Sequence, residues 1–346
     1  MPDCNITRYH FCAPHDALYL AIHYHAVTPM PSSPPLLPAR YSPRFTRGFL
    51  WYARRLIRKR FHAVRICNHR PESGGLLGSI PPTPVLDRAA DPPQIKTFPD
   101  AQDAAVSRST DPAAALTELA GYSGPVLVVL HHTSWWDPLI GLLVSHKLAP
   151  GRVHMAPMDI AQLQNFKFLT RLGAFGINPD DPATKDVLLE YVRGYFASTA
   201  HPTLWITPQG RFCDPRRPLV IRPGAAAIAA CTPAVRVVSV ALEYAFWLDQ
   251  SPEAFVRIAT VTPPLGSPSA STTAWHRCIL QSMEANASEL ARSVIARDPA
   301  GFTPLIGAGS AKINPMYDLW KKMTGQRNVI DESARSERGL RPAVKR

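Results

Sequence analysis

Three features of the sequence predict an α/β fold. From residue 126 onward, short apolar runs rich in β-branched residues alternate with helix-length segments for more than a hundred residues, the pattern of a sheet with helices on its faces. The first of these runs, Val126-Leu127-Val128-Val129-Leu130, is apolar throughout, as a strand buried on both faces must be. With 346 residues, 46% of them hydrophobic, the chain can bury a full core, and one large domain with appendages is expected.

Composition narrows the partners. A net charge of +12 calls for an anionic one: nucleic acid, a negatively charged membrane surface, or a phosphorylated or CoA-type substrate. Nucleic acid is set aside, because no recognisable reading motif accompanies the charge. The six cysteines include no C-x-x-C pair, so neither a zinc knuckle nor a disulfide framework is suggested, and a reducing compartment is expected. No run approaches the roughly 20 apolar residues of a membrane-spanning helix. The apolar patch at residues 17–27 is broken by His23 and His25 and lacks a basic leader, so it makes a poor signal peptide.

The elements follow in order. Residues 1–40, Pro/Ser-rich toward their end, read as a disordered leader. Residues 41–67 read as a basic amphipathic helix. At about 100° per residue, Phe45, Phe49, Leu50, Ala53, Leu56, Ile57, Phe61 and Val64 gather on one side. Arg44, Arg47, Arg54, Arg55, Arg58 and Lys59 lie mostly opposite, with Trp51 and Tyr52 toward the boundaries, and no acidic residue occurs between 40 and 70. Such a helix reads as interfacial, although its apolar side could equally pack on the domain. Residues 68–112, with Gly74-Gly75, Pro81-Pro82 and Pro92-Pro93, read as a disordered insertion.

The α/β domain is expected over 113–305, with a short helix at 113–120 leading into it. Strands are expected at 126–130, 152–156, 174–177, 203–207, 235–242 and 255–261. Helices are expected at 138–148, 160–172 (carrying Leu163, Phe166 and Leu169), 182–197 (with Pro182 suited to its first turn), 224–230 and 275–297. Residues 306–346 read as a tail, polar at its end.

Chemistry is concentrated where the strands stop. The run at 126–130 ends at His131-His132-Thr133-Ser134-Trp135-Trp136-Asp137-Pro138. With His132 in the loop and Asp137 in the first helical turn, the carboxylate can orient the imidazole, leaving the other ring nitrogen to take a proton from a hydroxyl. Three alternatives compete: a metal site using His131, His132 and Asp137, which lacks further ligands at metal spacing; Ser134 as nucleophile, which lacks the Gly-x-Ser-x-Gly flanks; and plain structural polarity. A second cluster, Thr207-Pro208-Gln209-Gly210-Arg211-Phe212, follows the next strong strand. Its Pro/Gly turn exposes backbone N–H groups and Arg211 can meet an anion, though an ordinary surface turn reads the same way. Arg216, Arg217 and Arg222 follow as phosphate contacts or solvated residues.

Taken together, His132-x4-Asp137, Gly173-Ala174-Phe175-Gly176-Ile177, Pro208-Gln209-Gly210-Arg211 and Val237-Val238-Ser239-Val240-Ala241-Leu242 resemble, in order and spacing, the four blocks of the glycerolipid acyltransferases, the PlsC-like family. Arg222-Pro223-Gly224-Ala225 fits the helix opening after the third block. The resemblance implies a single mixed-sheet domain with helices on its faces, preceded by the interfacial helix. It implies transfer of an acyl group from acyl-CoA or acyl carrier protein to a lipid hydroxyl, such as that of lysophosphatidic acid, with no cofactor, metal or covalent acyl-enzyme. His132 would be the general base and Asp137 its partner. Gly173, Phe175, Asn178, Pro208, Gln209, Gly210 and Arg211 would bind substrate, the backbone around Gln209 and Gly210 helping to hold the oxyanion. An anionic membrane surface would be the partner, with the enzyme peripheral on its cytoplasmic side. The chain departs from the family pattern at Asn178, where an arginine is usual, at Gln209 in place of glutamate, and in lacking the threonine before Arg211. Those departures leave the acceptor open. The rivals are a thioester hydrolase, against which Trp135 and Trp136 lean if they exclude water, and a non-catalytic membrane-binding protein that kept the fold.

Overall fold

The computed structural model describes residues 36–68, 119, 121–247, 249–266, 270–307 and 323. In chain order the elements are β1 (Leu36–Leu37), α1 (Pro43–Arg60), β2 (Ala63–Cys67), β3 (Val126–Leu130), α2 (Asp137–Leu148), β4 (Val153–Asp159), α3 (Ile160–Asn165), a 3₁₀ turn (Lys167–Leu172), β5 (Ala174–Ile177), α4 (Thr184–Ser198), β6 (Pro202–Ile206), α5 (Gly224–Cys231), β7 (Arg236–Ala245), β8 (Glu253–Thr260), α6 (Thr272–Ala296) and β9 (Phe302–Gly307).

The described strands form one nine-stranded mixed sheet in the order β1-β5-β4-β6-β3-β7-β8-β2-β9. Its middle is parallel: β3 runs alongside β6, with Val126 opposite Thr203, and alongside β7, with Leu130 opposite Val240. The antiparallel pairs are β1 on β5, β8 on β7 and β9 on β2. All five β3 residues are buried because helices cover both faces. Leu127 and Val129 pack with Leu188 and Val192 of α4, Ile228 of α5, and Ile279 and Met283 of α6. Val126, Val128 and Leu130 face the other way, against Ile140, Leu143 and Val144 of α2 and Ala53 and Ile57 of α1.

The expected α/β alternation is therefore present, but the domain is wider than 113–305. β2 inserts between β8 and β9, so residues within 41–67 supply a sheet strand, and β9 runs on to Gly307. The helix expected to reach residue 67 stops at Arg60: Phe61 turns extended (φ −121°, ψ 143°) and Ala63–Cys67 pairs in parallel with β8. Phe61 and Val64 happen to continue the helical spacing of Ile57, which conceals the switch; β-branched Val64 and Ile66 gain more by pairing inside the sheet. Ser42 starts α1, its hydroxyl accepting from the Phe45 N–H, and Pro43 occupies the first turn.

The leader is likewise shorter than expected. Leu36 and Leu37 pair with β5, Arg40 N–H donates to Thr170 O (2.9 Å) and Ser42 N–H to Arg171 O (2.9 Å). The helix expected at 160–172 breaks at Phe166, and its second half is 3₁₀. Leu163, Phe166 and Leu169 are three apart, a spacing both helix types satisfy. Pro182 precedes α4 rather than joining it. The readings for residues 1–35, for 69–112 and for the tail beyond 307, and all but Leu119 of the helix expected at 113–120, lie outside the described residues, save Met323.

Helix α1 is two-sided. Thr46, Ala53 and Ile57 are buried and Phe49 and Leu50 pack against the core, while Trp51 (68% exposed), Tyr52 (50%) and Arg44, Arg47, Arg54, Arg55, Arg58, Lys59 and Arg60 face outward. Among the described residues no helix is long and apolar enough to cross a membrane.

Two histidines are held inside the fold. His131, the residue after β3, donates its N–H to Val240 O (3.0 Å) and buries its ring, and burial pushes its pKa down to about 4. His154 on β4 accepts at Nδ1 from Trp205 Nε1 (3.1 Å); burial, then His146 and Arg152 nearby, push it down to about 3.

Two outcomes are expected. Ile57→Ala lowers unfolding stability by about 2–5 kcal/mol, because α1 is part of the core; an unchanged denaturation midpoint would mean that α1 is not docked. Both buried histidines bind a proton in the unfolded chain below about pH 6.5 but not in the folded one until much lower pH, so stability falls as pH drops from about 6.5 toward 4, at about 1.4 kcal/mol per pH unit for each. Melting curves between these pH values are steeper in wild type than in a His131→Met/His154→Gln variant; equal slopes would refute the assignment.

Candidate active site

Strand β3 delivers His132 to the carboxyl edge of the parallel strands, where ligands of open α/β sheets gather. Four residues of loop follow before α2 opens at Asp137. That loop folds back on the carboxylate, which is fully buried.

Asp137 accepts from five donors. Oδ2 takes Thr133 N–H (2.6 Å), Ser134 N–H (2.9 Å) and His132 Nδ1 (3.0 Å); Oδ1 takes Thr133 Oγ1 (3.2 Å) and the Tyr244 hydroxyl (2.7 Å). A residue in the first turn of α2 also meets the positive end of the helix dipole. Every neighbour donates, so the surroundings suit an ionised carboxylate. Burial, and then the Asp137 charge beside it, push the Tyr244 phenol well above its ordinary range, so it stays a donor.

The carboxylate fixes the imidazole. It can only accept, so His132 Nδ1 carries the proton and Nε2 keeps its lone pair. The His132 side chain is 21% exposed, against none for Asp137, so the pair has one buried member and one reachable member. His132 is also held by its backbone: its N–H donates to Gln209 Oε1 (3.2 Å) and its carbonyl accepts from Cys213 N–H (2.8 Å). The Phe212 ring lies over the imidazole, centroids 4.4 Å apart.

The turn after β6 therefore does reach His132. Gln209 is buried and bridges the two loops, and its Nε2 has no hydrogen-bond partner among the described residues. Gly210 has φ +66°, and a Cβ there would meet Arg222 Nε at 3.1 Å, so a side chain would be strained and glycine is favoured. Its N–H already donates to Thr207 O (3.1 Å), which removes it as an oxyanion donor. Pro208 is buried and its carbonyl accepts from Arg222 N–H (2.8 Å). Arg211 is exposed and makes no ion pair among the described residues. Arg222 braces the site: its guanidinium donates to Pro179 O (3.1 Å) and lies 3.7 Å from Asp180.

The second segment is placed differently from the expectation. Phe175 is wholly buried, 4.8 Å from the Tyr191 ring, because the alternation of β5 turns it into the core; it cannot touch a substrate. Gly173 precedes β5 at the amino end of the parallel strands, away from His132. It has φ +102° and lies so close to the His154 carbonyl that a Cβ would stand 2.1 Å from the oxygen. Its need for glycine is structural. Only Asn178, exposed at the carboxyl end of β5, is at the right edge; its Oδ1 accepts from Asp180 N–H (3.2 Å).

Tyr244, Thr133 and Phe212 were not foreseen as site residues. Tyr244 lies four residues beyond the Val240–Leu130 pairing, so β7 overshoots β3 and lays its hydroxyl beside the loop. A tyrosine just past a predicted strand carries the signal only once the strand order is known. Glu243, buried next to it, pairs with Arg216 (Nε 3.1 Å from Oε1) and ties down the segment carrying Phe212. Trp135 is exposed (62%), whereas Trp136 packs edge-on against Phe61 (5.1 Å) in the core. Among the described residues no three His, Cys, Asp or Glu side chains converge as a metal site requires.

Residues 107–243 match the family model described as Acyltransferase, a span that holds β3 to most of β7 and all but Tyr244 of the site just described. A search of curated proteins found no match. Residues 107–243 thus carry an acyltransferase domain, of the family that includes the PlsC-like glycerolipid acyltransferases.

Proposed function

We propose that the chain moves a fatty acyl group from acyl-CoA or acyl carrier protein to a lipid hydroxyl at a membrane surface, with His132 as general base. The observation that carries the proposal is the His132–Asp137 pair, 3.0 Å apart, with Nδ1 committed to the carboxylate and Nε2 facing outward. The acceptor hydroxyl gives its proton to Nε2 as its oxygen attacks the thioester carbonyl. Asp137 stabilises the imidazolium through the bond it already makes. Collapse of the tetrahedral intermediate breaks the C–S bond, and the imidazolium returns the proton to the departing thiolate. With the Gly210 N–H engaged, Arg211 is the group that stabilises the oxyanion.

Two features support a lipid acceptor over water. Phe212 covers one side of the imidazole, and Trp135, three residues on in the same loop, is exposed. From Trp135, aromatic contacts run to Phe166 (6.1 Å), and from Phe168, in the turn that follows, to Phe49 of α1 (5.9 Å) and on to Tyr52 (5.7 Å). Trp135, Phe168 and Tyr52 are all substantially exposed, so an apolar track leads from the catalytic loop toward the basic helix. The basic outer face of that helix supports our reading of peripheral attachment to an anionic membrane face, with the cytoplasmic side as the proposed one.

The test is incubation of purified protein with labelled acyl-CoA, or acyl carrier protein, and a total lipid extract. Label enters a lipid; His132→Ala lowers the rate by about 10²–10⁴-fold. Asp137→Asn lowers it less, because it removes orientation and charge but leaves the base. Tyr244→Phe, which removes one of five donors, lowers it least. Label released only as free fatty acid would replace transfer with hydrolysis, and liposome binding with no turnover from either donor would make the chain a binding protein.

A further inference from the structure

Three cations meet at the far end of α2, and among the described residues no acidic side chain pairs with them. Arg54 and Arg58 of α1, four residues apart and so on one face, and Lys147 in the last turn of α2 line a pocket of about 210 Å³ with Leu143, Leu305 and Ile306. All three cations are exposed, and none makes an ion pair or side-chain hydrogen bond among the described residues. Residues 43–68 contain no acid, and the only acid of α2 is Asp137, ten residues before Lys147 and so about 15 Å away along the helix.

Like charges held around one concavity repel, and an anion seated among them relieves the repulsion. Two guanidinium forks and an ammonium suit the several oxygens of a phosphate better than a lone carboxylate. The pocket has the volume of about seven water molecules, room for a phosphate group with part of its hydration.

We propose that Arg54, Arg58 and Lys147 form a phosphate-binding site distinct from the catalytic centre at His132. The phosphate is that of a lipid headgroup or of a soluble phosphate ester. The surroundings favour the lipid: Arg47, Trp51, Arg54 and Arg58 are spaced four, three and four apart, which places exposed Trp51 on the stripe that enters the pocket, where an indole suits the headgroup layer. The site does not depend on acyl transfer, and its test involves no turnover.

The full chain is sedimented with vesicles of phosphatidylcholine with and without phosphatidic acid, comparing wild type with R54Q/R58Q/K147Q and with R44Q/R55Q/K59Q. The second variant removes the same charge from exposed positions outside the pocket. The pocket variant is expected to lose at least about tenfold more affinity for phosphatidic acid vesicles than the control, since it loses recognition as well as the surface attraction both share. In a second arm, thermal melting is followed with glycerol phosphate at an ionic strength held constant with chloride. A rise in melting temperature in wild type and control but not in the pocket variant identifies a soluble phosphate as sufficient; no rise, with the vesicle difference intact, identifies the lipid surface as the source. Equal behaviour of the two variants in both arms would overturn the site and leave only diffuse electrostatics. R54K/R58K, which keeps charge and removes the forks, falls between wild type and the pocket variant; an affinity equal to wild type would mean that charge alone is read.

Discussion

Asp137 is removed from water at the first turn of α2, and the arrangement of the active site follows from satisfying it. A bare buried carboxylate is costly, and here five donors offset that cost. Two are backbone N–H groups of the loop, which fixes the loop's path; one is the hydroxyl of Tyr244, which ties the loop to β7; one is His132, which fixes the imidazole's tautomer and direction. The same bonds that stabilise the charge therefore orient the imidazole of His132. A change at Asp137 cannot be purely catalytic, because it leaves buried N–H groups without their acceptor.

The sheet supplies the second constraint. Parallel strands end together, so the segments after β3, β5 and β6 share one edge although they are far apart in sequence. At that edge Gln209 connects the loop after β6 to the backbone of His132, and Glu243, through Arg216, holds the intervening segment so that Phe212 lies over the imidazole. The imidazole is thus enclosed by loops whose anchors are buried polar side chains, while 21% of the His132 side chain stays exposed.

What could be read in the sequence follows the range of the interactions. The apolar run of β3, the position of His132 at its end and the opening of α2 are local, and all were legible. The pairing of His132 with Asp137 needed only a loop followed by a helix. Tyr244 and Glu243 were hidden because their role depends on β7 lying beside β3 and overshooting it, which is a property of strand order. Phe175 was misread for a related reason: its neighbours carry the sequence pattern, but strand alternation decides which side chains of β5 face the core. Gly173, expected to bind substrate, is instead constrained by the approach of the His154 carbonyl. The end of α1 was misplaced because Phe61 and Val64 fit a helical stripe and a buried strand equally well.

Helix α1 shows how far composition alone can carry a functional argument. A basic amphipathic segment suggests a helix whose apolar face enters lipid, but Ala53 and Ile57 are already committed to the core with Ile140 and Val144. The surface that α1 leaves free is cationic, with Trp51 and Tyr52 exposed among the arginines. Attachment through that surface would rest on charge and on shallow aromatic insertion, and would weaken with salt. It would also keep α1 fixed to the sheet, so that the catalytic edge is held at a set height relative to the helix. An acceptor dissolved in the membrane would then meet His132 by moving along the exposed aromatic track, without the domain having to unfold or the helix to detach.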